Sequence, residues 1–279
     1  MPFRLIYWVS DCLYYLILKP FPYRDRIIKK NISLSFPNYT DQQVQLAQNK
    51  FYRYLVDLFL ESIKVMSMNK DEILERMVVL DDEVMVQLFN EKKNVVVVLG
   101  HYGNFEYFGR ILPFVANQYK SCISYQLIKN KYLNDFMFKN RTKFGADLIS
   151  VKEVKEMFDR QKSGVPVATY FIMDQVPGAP HQSAHWMEFM HQDTPVINGP
   201  EKFGARFNQA VVFLEIDVIK RGYYSLKFHK ICDDASKEKA NFVTEQQMRF
   251  LEKSIEKKPA YWLWSHNRWK HKRKVHEST

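Results

Sequence analysis

The feature that most constrains the fold is an unbroken apolar run that ends in polar residues. Residues 94–110 read NVVVVLGHYGNFEYFGR. The block 95–99 is largely β-branched, too short for an ordinary helix and closed by Gly100, so it predicts a strand that is buried on both faces. Side chains just beyond the carboxyl ends of such strands line the crevice in which α/β proteins bind ligands. His101 occupies that position.

His101 and Glu106 form a candidate acid–base pair. Positions five apart on one helix point about 140° away from each other, so contact requires a turn, which Gly103 supplies. Asn104 then caps a helix that runs to Leu112. A carboxylate on one imidazole nitrogen would fix the tautomer and let the other nitrogen take a proton from a hydroxyl. The alternative interpretation is a hydrogen-bonded structural histidine at a strand end.

A second buried strand also ends in polar residues. Residues 165–175 read VPVATYFIMDQ and place Asp174 and Gln175 at the strand's end. Between the two strands, 132–144 is predicted to be a helix, with Arg141 near its end, where a cation complements the helix dipole.

The order of elements predicts a mixed α/β fold with a mostly parallel central sheet flanked by helices. A hairpin is expected late in the chain, across Arg221 and Gly222. No internal repeat or linker is found, so 1–279 is expected to be a single domain. The other predicted elements are helices at 40–68, 82–90, 150–161, 200–208 and 238–257, a strand at 121–128, a short basic segment at 23–36 and an irregular loop at 176–198.

The irregular loop raises the question of a metal site, because it contains His181, His185 and His191. Their spacing does not match the H-E-x-x-H pattern of zinc hydrolases. A metal-dependent hydrolase is therefore kept only as an alternative function, and no metal or cofactor is expected.

The charge balance favours anionic partners. The formal net charge is +10, from 41 Lys and Arg against 31 Asp and Glu. Anionic lipid, an acidic carrier protein and nucleic acid all satisfy this balance. The three cysteines, Cys12, Cys122 and Cys232, have no metal-like spacing, which is typical of reduced thiols in a protein that faces the cytosol.

The N-terminus is apolar and aromatic, and no signal-peptide cleavage pattern follows it. Residues 3–18 read FRLIYWVSDCLYYLIL. A spanning helix needs about 20 apolar residues, so this segment is predicted to lie in the membrane interface, followed by basic residues that suit anionic lipid. The alternative is an N-terminal helix packed on the protein core.

Five motifs together resemble the bacterial lipid A biosynthesis late acyltransferases, within the acyltransferase superfamily marked by H-x4-D/E. They are VVVVLGHYGNFEYFG, the R-x-x-x-G of 141–145, the strand end Asp174–Gln175, TPVINGPEKFGARFN and WLWSHNRWK. The resemblance covers nearly the whole chain. One departure is Phe105, where many relatives have Trp.

The resemblance implies transfer of a fatty acyl group from a thioester, usually on acyl carrier protein, to a lipid hydroxyl at the cytoplasmic face of the bacterial inner membrane. His101 would be the general base and Glu106 its orienting partner. Arg141 would bind an anionic group or stabilise the oxyanion, while Asp174, Gln175 and Asn104 would contribute to the substrate site. The thioester is already activated, so no enzyme nucleophile is required. Asn267 and Arg268 lie in the tail motif without an assigned role.

Several alternatives stay open at this stage. The acceptor could be a lipid A precursor, a lysophospholipid or an amino-acid lipid, and the donor could be coenzyme A instead of the carrier protein. A non-catalytic basic module for membrane or nucleic acid is a different class of function. Nucleic-acid binding is not expected, because a basic tail such as KHKRK is more often solvated or lipid-facing.

Overall fold

The computed structural model describes residues 1–115, 118–125, 129–143, 145–150, 153, 156, 159, 164–177 and 185–273. The helices are α1 Phe3–Leu13, α2 Asp25–Ser35, α3 Asp41–Lys64, α4 Lys70–Arg76, α5 Glu83–Asn90, α6 Phe105–Ile111, α7 Lys131–Thr142, α8 Gly199–Arg206 and α9 Phe242–Lys257. The strands are β1 Met77–Asp81, β2 Val95–Leu99, β3 Lys120–Tyr125, β4 Asp147–Ser150, β5 Val167–Ile172, β6 His185–Phe189, β7 Gln192–Val196, β8 Ala210–Lys220 and β9 Tyr223–Cys232.

The central sheet confirms the predicted mixed α/β class. Within the described residues it has seven strands in the order β1-β9-β8-β2-β5-β3-β4. Every neighbouring pair is parallel except β8 and β9, which form the predicted antiparallel hairpin. The sheet therefore places the carboxyl ends of β2 and β5 side by side.

Strand β2 lies at the centre of this sheet and is buried on both faces, as its sequence predicts. All five of its residues are buried. Val96 and Val98 join one hydrophobic cluster, and Val95, Val97 and Leu99 join the other. The alternation follows the two-residue period of a strand, so the helices cover both faces of the sheet.

The structure differs from the predicted elements in several places. The basic segment is a helix, α2, and helix α4 and strands β1 and β4 were not expected. The stretch predicted as an irregular loop contains an antiparallel hairpin of β6 and β7. The predicted strand at 121–128 is confirmed as far as Tyr125, and its last three residues, like most of the predicted helix at 150–161, lie outside the described residues.

The N-terminal helix forms over the predicted range, with α1 continued by a π-helical turn at Tyr14–Leu18. One face packs on α3, where Tyr7 donates to Glu61 at 2.8 Å and Ser10 donates to Asp57 at 2.6 Å. The opposite face exposes large apolar side chains, among them Trp8 and Leu16. Among the described helices, none combines the length and apolarity needed to cross a membrane.

Candidate active site

The register of the sheet brings His101 and Asp174 together. Leu99 of β2 pairs with Ile172 of β5 in a parallel ladder, and the amide of Met173 donates to the Leu99 carbonyl at 3.1 Å. His101 and Asp174 each stand two residues beyond these paired positions. Because the strands are adjacent and parallel and both residues lie at the same distance beyond the paired positions, their side chains lie at the same edge of the sheet.

The Asp174 carboxylate holds His101 at two points. The His101 amide donates to Oδ2 at 3.0 Å, and the ring Nδ1 lies 2.5 Å from Oδ1. A proton on Nδ1 satisfies this contact and leaves Nε2 as an acceptor. The side-chain amide nitrogen of Gln175 lies 3.3 Å from that Nε2. The geometry thus presents an oriented, basic imidazole nitrogen.

Trp262 completes the coordination of the carboxylate. Its indole N–H donates to Asp174 Oδ2 at 2.7 Å. Asp174 is only 2% exposed, and burial alone would raise its pKa. Burial is the largest single effect, but the electrostatic interaction with His101 and the hydrogen bonds from His101 and Trp262 together outweigh it and lower the pKa of Asp174 to about 2. The carboxylate is therefore ionised at neutral pH.

The turn after His101 is built on Gly103 and Asn104, as predicted. Gly103 has a φ of 59°, and a Cβ there would lie 2.9 Å from Ile216 Cγ2, so glycine is required on both counts. Asn104 caps α6 by accepting from the Tyr107 amide at 3.0 Å. Its amide nitrogen donates to Glu61 at 2.6 Å, and its side chain is fully buried. Both polar atoms of the Asn104 side chain are therefore engaged in shaping the turn, and its contact with substrate stays a prediction.

Glu106 has a different partner from the one predicted. Arg141 Nη2 donates to both of its carboxylate oxygens, at 3.1 and 3.3 Å. Among the hydrogen bonds of the described residues, none joins Glu106 to His101, and Asp174 occupies the position on Nδ1. The predicted contact between His101 and Glu106 is therefore wrong, and Asp174 is the carboxylate that orients His101 in the structure. The ring of Phe105 lies between them along the chain and packs edge-on against the imidazole at 4.9 Å.

The C-terminal tail supplies residues that the sequence did not single out for a role. His266 Nε2 accepts from the Val176 amide at 3.1 Å, and burial lowers the pKa of His266 to about 4. Arg268 is fully buried and donates to the Pro195 carbonyl at 2.8 Å. Burial lowers its pKa to about 10. The signals in the sequence were the family-like motif WLWSHNRWK, which contains both residues, and its dense aromatic pattern, which by itself is typical of core packing.

The histidines of the predicted loop do not meet in the part of the chain that the structure describes. His185 pairs with Glu245 at 2.8 Å, and His191 stands in the β6–β7 turn with a φ of 59°. No group of three metal-ligating side chains occurs among the described residues. His181 lies outside them.

A comparison with protein families identifies the chain. The profile of the bacterial lipid A biosynthesis acyltransferases matches residues 1–271. The chain belongs to this family. No curated protein matches the sequence significantly. The family acts in lipid A biosynthesis by transferring acyl groups, and the His101 site is its candidate active site in this acyltransferase.

Proposed function

We propose that this acyltransferase moves a fatty acyl chain from an acyl thioester to a hydroxyl of a lipid A precursor, with His101 as the general base. One observation carries the assignment: His101 Nδ1 is held by the ionised Asp174, and Nε2 remains as an oriented acceptor. Such a nitrogen accepts a hydroxyl proton efficiently, because its partner stabilises the imidazolium that forms.

The reaction follows from this arrangement. His101 Nε2 takes the acceptor's hydroxyl proton while the oxygen attacks the thioester carbonyl. The tetrahedral intermediate expels the thiolate, which recovers the proton from Nε2, so the base is regenerated. No enzyme nucleophile is required, because the thioester is already an activated acyl donor.

Gln175 is proposed to contact the acceptor. Its amide nitrogen lies 3.3 Å from His101 Nε2, where the acceptor hydroxyl must come within hydrogen-bond reach. The hydroxyl would displace this contact and leave the amide free to donate to an oxygen of the substrate.

Arg141 is proposed to bind an anionic group of the donor or acceptor. Both of its contacts with Glu106 come from Nη2, and its side chain is about a quarter exposed, at 23%. The donors on Nε and Nη1 suit a phosphate, which arginine recognises with a planar fork. Glu106 would then hold the Arg141 guanidinium in position through its contacts with Nη2.

The donor is proposed to be acyl carrier protein. The net charge of +10 supports this choice, since opposite charge accelerates encounter with an acidic partner. No cofactor enters the proposed reaction, because the thioester itself supplies the activation.

Peripheral attachment to the cytoplasmic face of the bacterial inner membrane is part of the proposal. Trp8 is 64% exposed and Leu16 73% exposed on the free face of the N-terminal helix, and basic residues follow. Flotation with vesicles should show binding that increases with anionic lipid and decreases with salt. Trp8→Ser should weaken it, and equal recovery of both proteins with the vesicles would contradict this assignment.

His101→Ala tests the base. We expect kcat for acyl transfer from acyl carrier protein to fall by roughly 10² to 10⁴-fold, since this is the usual contribution of a general base. The control is His229→Ala, which removes a partly exposed histidine paired with Glu215 on the β8–β9 hairpin. Normal turnover by a folded His101→Ala variant would contradict the assignment.

A further inference from the structure

A cavity of about 700 Å³ lies behind the turn that carries His101. Its walls are α3, the turn between β8 and β9, and the segment that follows α9. Neither His101 nor Gln175 is in the lining formed by the described residues. A molecule in this cavity would therefore not touch the reacting atoms.

The cavity lining nevertheless holds the whole turn. Four hydrogen bonds join residues 102–104 to residues that line the cavity: Tyr102 Oη to the Lys258 carbonyl at 3.0 Å, Tyr54 Oη to the Gly103 carbonyl at 2.6 Å, the Gly103 amide to the Tyr261 carbonyl at 3.0 Å, and Asn104 Nδ2 to Glu61 Oε2 at 2.6 Å. A shift of this wall therefore changes the support of the catalytic turn.

The wall nearest the turn is aromatic. Tyr54 and Tyr261 both line the cavity and contact each other edge to face, with ring centroids 5.4 Å apart. Leu46 and Ala47 of α3 and Pro259 add aliphatic surface. A cavity of several hundred cubic ångströms with mostly apolar walls and a few polar groups suits a small amphiphilic molecule.

The charges around the cavity favour an anionic head group. The lining has five cationic side chains, Lys50, Arg53, Arg221, Lys257 and Lys258, and three carboxylates, Asp11, Asp57 and Glu61. Arg221 binds both aspartates. Glu61 accepts hydrogen bonds from Tyr7, Asn104 and Tyr224, so its carboxylate is already satisfied within the protein.

Lys50 is the cation best placed to meet such a head group. It is exposed, and it forms no salt bridge among the described residues. The neighbouring lysines Lys257 and Lys258 share one carboxylate, that of Asp217, at 2.9 and 2.8 Å. Positive charge therefore remains at the rim after the internal pairs are made.

We propose that this cavity is a second binding site, for a single-chain amphiphile with an anionic head, and that its occupant regulates the His101 turn. The chain lies against Tyr54 and Tyr261, and the carboxylate or phosphate head lies near Lys50. Binding does not depend on the proposed acyltransferase reaction, whereas an effect on turnover rests on it.

Calorimetric titration of the full chain tests the site. The probes are dodecanoate, dodecyl phosphate and neutral dodecyl maltoside, each below its micelle concentration. We expect one molecule of an anionic probe to bind at least tenfold more tightly than the neutral one. Preference for dodecanoate would indicate a fatty acid as the natural occupant, and preference for dodecyl phosphate a phospholipid-like head.

Two variants locate the bound probe. Ala47→Trp fills the cavity from α3 and should abolish binding. Lys50→Ala should weaken the anionic probes about three- to tenfold and leave the neutral one unchanged, and as an exposed residue it carries little risk to folding. Lys227→Ala, on the exposed side of β9, is the matched charge control and should bind as the unaltered protein does.

Hydrogen exchange tests the link to the turn without any assay of activity. The bound probe should change exchange of the Gly103 amide, which donates to Tyr261, at least threefold. Tyr54→Phe removes the hydroxyl that donates to the Gly103 carbonyl but keeps the ring. The variant should therefore still bind the probe, but the effect of the probe on exchange of the Gly103 amide should be smaller. Absence of anionic binding, or equal binding by Ala47→Trp, would overturn the site. Unchanged Gly103 exchange in the bound protein would overturn its coupling to the turn.

Discussion

The candidate site contains two carboxylates that are each paired with a nitrogen-bearing side chain, and the two pairs are built in different ways. Asp174 meets His101 between two adjacent parallel strands and is 2% exposed. Glu106 meets Arg141 between α6 and α7, and these side chains are 13% and 23% exposed. The first pair is fixed by the backbone ladder of β2 and β5, and the second by the approach of two helices.

This difference indicates which pair is suited to proton transfer. The ladder sets the relative position of His101 and Asp174 through backbone hydrogen bonds, and a buried carboxylate interacts strongly with the imidazolium. The helix pair depends on Gly109, since a Cβ there would lie 3.3 Å from Arg141 Cγ. A partly exposed ion pair of this kind contributes little stability but leaves donors for a ligand.

The largest effect that separates the two pairs is expected for Asp174→Asn. The amide keeps the shape but cannot stabilise the imidazolium or enforce the proton on Nδ1, so kcat should fall by roughly 10² to 10⁴-fold. Steady-state kinetics measure the loss of kcat, and a melting curve measures separately whether the variant remains folded. A folded variant that keeps full kcat would show that the strand-end carboxylate is not the orienting partner.

A smaller effect is expected in the pH dependence of the free energy of unfolding, which should differ between the unaltered protein and Asp174→Asn. The pKa of Asp174 in the folded protein is lowered to about 2 from an ordinary 3.8. Its stabilisation of about 2 kcal/mol is therefore present above about pH 4 and is lost as the pH falls through 2, with a loss of about 1 kcal/mol between pH 5 and pH 3. Urea unfolding of the unaltered protein and Asp174→Asn at pH 5, 4 and 3 measures it, and parallel curves would contradict the lowered pKa.

The smallest effect is expected for Glu106→Gln. Arg141 loses a charged partner but His101 and Asp174 are untouched, so KM for an anionic substrate should change by less than about tenfold, with kcat nearly constant. Glu215→Gln, which alters the partner of His229, is the control. A loss of kcat as large as that of Asp174→Asn would restore Glu106 to the role that the sequence predicted.

The sequence predicted the parts of the fold that local patterns control. The β-branched block at 95–99, the glycine turn at Gly103 and the late hairpin each have a local signature, and the structure confirms them. The β6–β7 hairpin was missed because its residues, HWMEF and QDTPV, include a proline and lack a clean two-residue alternation.

The site was predicted less well, because the contact between His101 and Asp174 joins residues that follow two different strands and are far apart in sequence. The H-x4-E pattern directs attention to Glu106, which is near His101 in sequence, whereas Asp174 is 73 residues away. A usable signal was present: two buried strands each place a polar residue two positions beyond the end of the ladder, at His101 and Asp174. Strand order, which a single sequence does not reveal, decides whether they meet.

The hydrogen bond from Trp262 to Asp174 also has a consequence for the order of events during synthesis. The two residues are 88 positions apart, so the ribosome adds the indole roughly 5 to 20 s after the carboxylate. Throughout that interval the residues of β2 and β5 have already been synthesised, but Oδ2 lacks this donor. The carboxylate on which the proposed chemistry depends therefore gains its hydrogen bond from Trp262 only after the contacts with His101 have become possible.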